Sequence, residues 1–89
     1  MNISVDKSFE KDTDKLLNKK LLLKIADCME HVMECKQLAD IQNLKKLQGF
    51  KNYYRIRLGD YRLGIRVEKD HLIFERCLHR NEIYKYYPK

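Results

Sequence analysis

Several residue types are scarce in this chain of 89 residues. It has no tryptophan, one proline, three glycines and three cysteines, and none of its apolar runs is long enough to cross a membrane. The low proline and glycine content excludes collagen-like and linker compositions, and three cysteines without a CxxC pair argue against a disulfide framework or a zinc ribbon. The first residues also lack the pattern of a secretory signal. We therefore expect a cytoplasmic protein with reduced cysteines and no membrane partner.

The rest of the composition fits one folded unit. Apolar residues make up 44% of the chain and charged residues 36%, which excludes an intrinsically disordered composition. A chain of this length has room for one hydrophobic core. We expect a single domain that covers residues 1–89.

Positive charge is concentrated in the second half of the chain. Residues 1–44 carry seven lysines and eight acidic residues, whereas residues 45–89 carry twelve basic and five acidic residues. All six arginines are in the second half, and the planar guanidinium of arginine is suited to binding phosphate. The asymmetry indicates a polyanionic partner, although a basic surface that only maintains solubility has the same composition.

The first third of the chain has the pattern of a strand followed by two helices. Ile3 and Val5 alternate with polar residues, which predicts a short strand, and a helix follows from Asp6 or Ser8. A second helix is predicted from about residue 19 to residue 35, joined to the first at residues 18–20. The apolar residues of the first helix are Phe9, Leu16 and Leu17. A stripe of apolar residues in the second helix is expected to cover the sheet, and its members are Leu22, Ile25, Ala26, Met29, Val32 and Met33.

Residues 36–52 form a connector, and the spacing of its leucines allows a turn of helix. After the connector, apolar residues recur at every second position, as in a strand, instead of at helical spacing. Residues 54–58 and 61–67 alternate between apolar and polar, and Gly59-Asp60 suits a two-residue type II′ turn. The predicted register pairs Leu58 with Tyr61, Arg57 with Arg62, Ile56 with Leu63 and Arg55 with Gly64. One face of this hairpin, the arginine face, carries Arg55, Arg57, Arg62 and Arg66.

A third strand at residues 72–79 is expected to pair Val67 with Leu72. In that register the core residues are Leu72, Phe74 and Leu78, and the residues on the arginine face are Glu75, Cys77 and His79. Arg76 does not fit the alternation, which indicates a bulge or an edge position. A tail follows at residues 81–87.

The arginine face is the strongest indication of function. Arg57 and Arg62 oppose each other, and opposed like charges destabilise a sheet by up to about 1 kcal/mol. A bound phosphate would turn this repulsion into attraction, and guanidinium groups stabilise the charge that develops during phosphoryl transfer. Gly64 leaves room for a ligand on this face. A solvated face whose arginines serve solubility alone is the alternative.

Proton transfer during RNA cleavage needs a group other than arginine, which is a poor general base. The candidates are His79 and Tyr84, and attack by the 2′-hydroxyl of RNA requires no metal. The three histidines lack partners at metal-ligand spacing, so no metal site is expected. The tyrosines left available to a ligand or partner are Tyr53, Tyr84, Tyr86 and Tyr87. The candidate RNA-binding residues are Lys45, Lys46, Lys51, Tyr53 and Arg66.

Two stretches resemble the RelE/ParE superfamily of toxins in type II toxin–antitoxin systems. They are LKKLQGFKNYYRIRLGDYRLGIRV at residues 44–67 and CLHRNEIYKYYP at residues 77–88. The resemblance implies an α+β fold, with an N-terminal strand and a helical hairpin packed on a twisted antiparallel β-sheet and a short C-terminal tail element. It also implies a role for Tyr84, the tail aromatic that stacks on or activates the substrate. We assign Tyr84 as the base and His79, a titratable group that some members lack at this place, as the alternate. The residues implied for phosphate binding and transition-state charge are Arg55, Arg57, Arg62 and Arg80.

Members of this superfamily differ in their targets. RelE-like toxins cut messenger RNA in the ribosomal A site, and ParE-like toxins inhibit DNA gyrase without catalysis. For this chain we expect a ribosome-dependent mRNA endonuclease that needs no cofactor. Gyrase inhibition is the alternative, and a nucleic-acid-binding module without catalysis is a third hypothesis. The resemblance further implies a cognate antitoxin, acidic and partly disordered, that would cover the arginine face.

Overall fold

The computed structural model describes residues 1–88, which form a five-stranded sheet with two long helices on one face and a short helix on the other. The strands are β1 (Asn2–Val5), β2 (Leu44–Lys46), β3 (Tyr53–Leu58), β4 (Tyr61–Glu68) and β5 (His71–His79). The helices are α1 (Lys7–Asp14), α2 (Lys19–Glu34) and α3 (Ile83–Tyr86). No helix among the described residues has the length and apolar character that would let it cross a membrane. The predicted α+β class is confirmed.

The sheet has the strand order β1-β5-β4-β3-β2. Strands β2 to β5 are antiparallel neighbours, whereas β1 pairs with β5 in the parallel direction. The sheet is therefore mixed rather than wholly antiparallel. The parallel pairing is possible because a long crossover containing both helices separates β1 from the rest of the sheet.

The register of the central hairpin is confirmed at every predicted pair. Leu58 pairs with Tyr61, Arg57 with Arg62, Ile56 with Leu63 and Arg55 with Gly64. The turn has a positive φ of 61° at Gly59, which glycine adopts without steric cost. Val67 of β4 pairs with Leu72 of β5 across the next turn, also as predicted.

Side-chain caps define where both long helices begin. The carboxylate of Asp6 accepts a hydrogen bond from the backbone N–H of Ser8 at 3.2 Å, so the first helix follows Asp6, one of the two predicted starts. The side chain of Asn18 accepts from the N–H of Leu21 at 3.1 Å. The joint between the helices thus ends at Asn18, and the predicted placement of Lys19 and Lys20 in it is wrong.

The apolar stripe of α2 is narrower than predicted. Ile25 and Val32 are buried in the core, but Ala26 and Met33 are exposed, and Leu17 in the preceding joint is 92% exposed. Ala26 and Met33 were wrongly expected to cover the sheet, and Leu17, which was predicted to belong to the first helix, lies after its end at Asp14. Ala26 and Met33 lie seven residues apart on the flank of the helix, whereas Cys28 and Cys35 continue the buried stripe instead.

The connector contains a strand that the sequence did not indicate. The allowed turn of helix is present as a 3-10 turn at Leu38–Asp40. Strand β2 follows, with Leu44 opposite Ile56 and Lys46 opposite Tyr54. Three residues are too few for a period of two to be recognised. As a result, Lys45 and Lys46 lie at the edge of the sheet rather than in a loop.

The tail folds back onto the arginine face. Ile83 and Tyr87 are buried there in a second apolar cluster with Leu47, separate from the core beneath α1 and α2. A β-carbon built on Gly64 would lie 2.7 Å from the ring of Tyr87. The expectations that Gly64 leaves room for a ligand and that Tyr87 is available to one are therefore wrong, because the tail occupies that space.

A β-bulge in β5 changes which face the last strand residues occupy. Ile65 pairs with Phe74 but Gly64 pairs with Arg76, which leaves Glu75 as the extra residue. The bulge inferred from Arg76 is confirmed. Beyond it, Cys77 lies in the main core and Leu78 packs against the second cluster on the arginine face. Their predicted faces are wrong because one extra residue reverses the alternation.

Candidate functional site

The hairpin turn anchors the side chains at one end of the arginine face. Arg57 lies directly opposite Arg62. One guanidinium nitrogen of Arg62, Nη1, donates to the carbonyl oxygens of Gly59 at 2.8 Å and Tyr61 at 2.9 Å. These bonds hold the guanidinium of Arg62 beside the turn, while Arg57 remains exposed.

Arg55 completes the arginines of β3. It is half-buried, and its Nη1 donates to the carbonyl oxygen of Asn43 at 3.1 Å. Its Nε is buried and, among residues 1–88, has no hydrogen-bond partner. A buried donor without a partner costs free energy.

The tail brings a fourth arginine and a tyrosine to the same place. The backbone N–H of Arg80 donates to the carbonyl oxygen of Asp60 at 2.7 Å, which fixes the start of the tail at the hairpin turn. In α3, Ile83 is buried against the sheet, whereas Tyr84 is 65% exposed. Burial of one side of this short helix therefore presents Tyr84 to solvent beside the arginines.

Burial and neighbouring charges both act on the pKa of Arg62. It is lowered from the ordinary value, chiefly because burial removes water from the guanidinium and also because neighbouring arginines repel its charge. The neighbours that repel it are Arg55, Arg57 and Arg80, while Tyr84 acts in the opposite direction. Arg62 and these three arginines, hereafter the arginine cluster, form a region of concentrated positive charge.

His79 does not join the arginine cluster. It pairs with Tyr61, whose ring packs against the main core, and the two rings make an edge-to-face contact with centroids 5.6 Å apart. Its Nδ1 accepts a hydrogen bond from the N–H of Asn81 at 3.2 Å. The prediction that His79 lies on the arginine face is wrong, because the bulge at Glu75 turns it to the side of the helices.

The predicted RNA-binding residues separate into two groups. Arg66 forms ion pairs with Glu68 and Glu75, so its charge is already balanced. Tyr53 is half-buried, with its ring 5.7 Å from that of Tyr87. The three lysines instead line one open groove of about 840 Å³, hereafter the lysine groove, which also includes Phe50 and Tyr84. The lysines are Lys45, Lys46 and Lys51.

Two residues at this site were missed in the sequence. Phe50 is 47% exposed and borders the lysine groove. The available signal was a lone aromatic between a glycine and a lysine in a polar connector. Asp60 contributes only its carbonyl oxygen, a role that no side-chain pattern reveals. Within residues 1–88, no three side chains of His, Cys, Asp or Glu are grouped to hold a metal ion.

Comparison with known proteins identifies a matching family and a similar relative. The model of the family described as ParE toxin of type II toxin-antitoxin system, parDE, matches residues 3–84. Toxin RelE3 of Methanocaldococcus jannaschii is 40% identical over 92 residues, which covers 99% of this chain and all of the relative. The similarity therefore extends over nearly the whole chain.

Solved structures have the same fold. In the crystal structure of a RelB-RelE antitoxin-toxin complex from Methanococcus jannaschii, one chain is 39% identical to this one with a TM-score of 0.78, covering 94% of this chain and 98% of that one. A chain of the E. coli DinJ-YafQ complex is 20% identical with a TM-score of 0.72, covering 93% and 97%. The second match supports the fold alone.

Proposed function

Because this chain belongs to the ParE toxin family, and is a RelE-like toxin of a type II toxin–antitoxin system, we propose that it is a ribosome-dependent endonuclease that cuts messenger RNA in the A site. The placement of Arg55, Arg57 and Arg62 on one face of the hairpin, with Arg80 bonded to the turn of that hairpin, carries the proposal. Such a cluster suits a phosphate that gains negative charge during the reaction.

The reaction proceeds by attack of a 2′-hydroxyl on the adjacent phosphorus. The O2′–P bond forms, the P–O5′ bond breaks, and the products are a 2′,3′-cyclic phosphate and a 5′-hydroxyl. The arginines of the cluster bind the phosphate oxygens and stabilise the additional charge. The 2′-hydroxyl must lose a proton and the leaving 5′-oxygen must gain one. No metal or other cofactor is needed for these steps.

Tyr84 is the first candidate for taking the proton from the 2′-hydroxyl. It is exposed and follows Arg80 at the hairpin turn that holds Arg62, so an RNA phosphate held by the arginines would be within its reach. His79 is the alternate, but it packs beside Tyr61 away from the cluster. The proposal therefore predicts a much larger loss of cleavage for Tyr84→Phe than for His79→Gln.

A reconstituted reaction tests the proposal. The purified chain is mixed with ribosomes that hold a defined messenger RNA with an empty A site, and the ends of the RNA fragments are analysed. We expect cleavage within the A-site codon that leaves a 5′-hydroxyl and a cyclic phosphate. Cleavage should fall at least 100-fold in Arg57→Ala and Arg62→Ala variants, and Lys15→Ala, on the helix side, is the control. Intact RNA with the unchanged chain would refute the proposal.

Inhibition of DNA gyrase is the second candidate function. The observation that favours it is the match of residues 3–84 to a family described as ParE toxin, since ParE-like toxins inhibit gyrase. A gyrase supercoiling assay separates the two functions. Loss of supercoiling together with intact messenger RNA would support the second candidate and count against the first.

The proposed protein partner is a cognate antitoxin. The relative that is 39% identical was solved as an antitoxin-toxin complex, which supports a similar partner here. An acidic, partly disordered antitoxin would neutralise the exposed part of the arginine cluster. Co-expression with the cognate antitoxin should abolish growth inhibition and give a complex that co-purifies. Charge reversal at Arg57 should weaken that complex.

A further inference from the structure

The lysine groove combines positive charge with two exposed aromatic rings. Lys45 and Lys46 line it from β2, and Lys51 lines it from the turn that follows. Among residues 1–88, no aspartate or glutamate lines this groove. Its volume of about 840 Å³ is within the range of about 300–1,000 Å³ that is typical of ligand-binding clefts.

The ring of Phe50 is supported on one side by the sheet. Its ring makes an edge-to-face contact with Tyr53, with centroids 6.3 Å apart. Tyr53 in turn contacts Tyr87, whose hydroxyl donates to Glu75 at 2.8 Å. Gly49, with φ of 81°, forms the turn before Phe50, and the space beside its α-carbon is open. The ring is thus supported from the sheet and still 47% exposed.

Tyr84 connects the lysine groove with the arginine cluster. It lines the groove and follows Arg80, which is bonded to the hairpin turn that also holds Arg62. A strand whose phosphate is held by the cluster would therefore continue into the groove.

We propose that the lysine groove binds the single-stranded RNA next to the cleaved phosphate, with one base stacked on Phe50. This inference depends on the proposed function for the identity of the strand. The lysines neutralise the phosphates that follow, and the aromatic ring receives a base that is not paired. Duplex RNA does not fit, because its bases stack on each other and do not present their faces to a side chain. An acidic peptide matches the charge but makes no use of the supported ring.

A single tryptophan reports binding directly. The chain has no tryptophan, so Phe50→Trp places one fluorophore in the groove, and base stacking quenches its emission. The probe is a 2′-O-methyl oligouridylate, which lacks the attacking hydroxyl. We expect saturable quenching, none with the same strand in a duplex, and at least tenfold weaker binding when Lys45→Gln and Lys51→Gln are added. Tyr86→Trp is the control, since Tyr86 is 45% exposed but lies outside the groove.

Three results would overturn the inference. They are absence of quenching, equal quenching of Phe50→Trp and Tyr86→Trp, and quenching by polyglutamate but not by RNA. The last result would indicate a protein ligand.

Cleavage assays separate failure of this inference from failure of the proposed function. We expect Phe50→Ala to lower cleavage by about tenfold, within the range that stacking contributes per base, and Phe50→Tyr to retain it. If the unchanged chain cuts RNA and Phe50→Ala cuts it equally well, the groove is refuted and the nuclease stands. If the unchanged chain does not cut RNA but Phe50→Trp is quenched, the nuclease is refuted and the groove stands.

Discussion

The ring of Tyr87 lies directly over Gly64, where a β-carbon would come within 2.7 Å of it. This contact attaches the tail to the centre of the sheet and carries Tyr84 to the arginine cluster. The hydroxyl of Tyr87 donates to Glu75 at 2.8 Å, and its ring lies in a cluster with Leu47. The glycine in β4 is therefore required for packing of the tail.

Replacing Gly64 tests this attachment. We expect Gly64→Ala to lower the free energy of unfolding in urea by about 1–3 kcal/mol, because the added methyl group overlaps the ring of Tyr87. Cleavage should fall as well, since Tyr84 moves with the tail. The double variant Gly64→Ala, Tyr87→Ala should be more stable than the sum of the single effects predicts. Additive effects would contradict the contact.

The opposed arginines predict a gain in stability on substitution. Arg57→Gln should raise the free energy of unfolding by up to about 1 kcal/mol, because it removes repulsion from Arg62, and should abolish activity. Arg66→Gln is the matched control on the same face. It should lower the free energy of unfolding by about 0.5–1 kcal/mol, because it removes the ion pairs with Glu68 and Glu75. A change in the free energy of unfolding that has the same sign in both variants would contradict this account.

Asp12 closes the edge of β5 beyond the end of β1. Its carboxylate accepts from Nε of Arg76 at 2.8 Å and from the backbone N–H of Cys77 at 2.9 Å. We expect Asp12→Ala to lower the free energy of unfolding by about 2–3 kcal/mol, because both donors lose a charged partner. Asp14→Ala, an exposed substitution in the same helix, should change it by less than about 0.5 kcal/mol in the same urea titration. Similar losses in both variants would refute a specific role for Asp12.

Cys77 predicts how stability changes at alkaline pH. Burial raises the pKa of its thiol from 9.0 to about 12, and burial likewise raises the pKa of Cys28 to about 11. Between pH 9.0, where the thiols of the unfolded chain titrate, and the raised pKa of each buried thiol, the folded chain keeps a proton that the unfolded chain has lost. The stabilisation is therefore complete below pH 9 and decreases by up to about 1.4 kcal/mol per pH unit for each thiol above it.

The variant Cys77→Ala isolates that contribution. Unfolding free energies measured from pH 8 to pH 11 should decrease less steeply in Cys77→Ala than in the unchanged chain, whatever the constant difference between them. Parallel curves would show that the thiol of Cys77 does not keep its proton in the folded state.

The hairpin could be predicted because two signals agreed. The alternation in β3 and β4 assigned the faces, and Gly59-Asp60 fixed the register. Arg76 correctly indicated a bulge, but the sequence does not say at which residue the ladder shifts. A shift at Glu75 rather than later moves His79 from one face to the other.

The rest of the site depends on packing between distant residues. A glycine within a strand indicates close approach by some other group, and here that group is Tyr87 rather than a ligand. Strand β2 exists because β3 offers it an edge. The exposure of Phe50 follows from the same tertiary arrangement. None of these contacts has a local pattern in the sequence.

Mapping of messenger RNA ends in cells tests the central claim most directly. The chain is induced briefly in a heterologous bacterium, beside an Arg57→Ala, Tyr84→Phe variant and a Lys15→Ala, Tyr86→Phe control of matched composition. We predict new 5′ ends inside translated codons with the unchanged chain and the control, and none with the Arg57→Ala, Tyr84→Phe variant. Arrested growth with intact messenger RNA, or equal cleavage by that variant, would contradict the account.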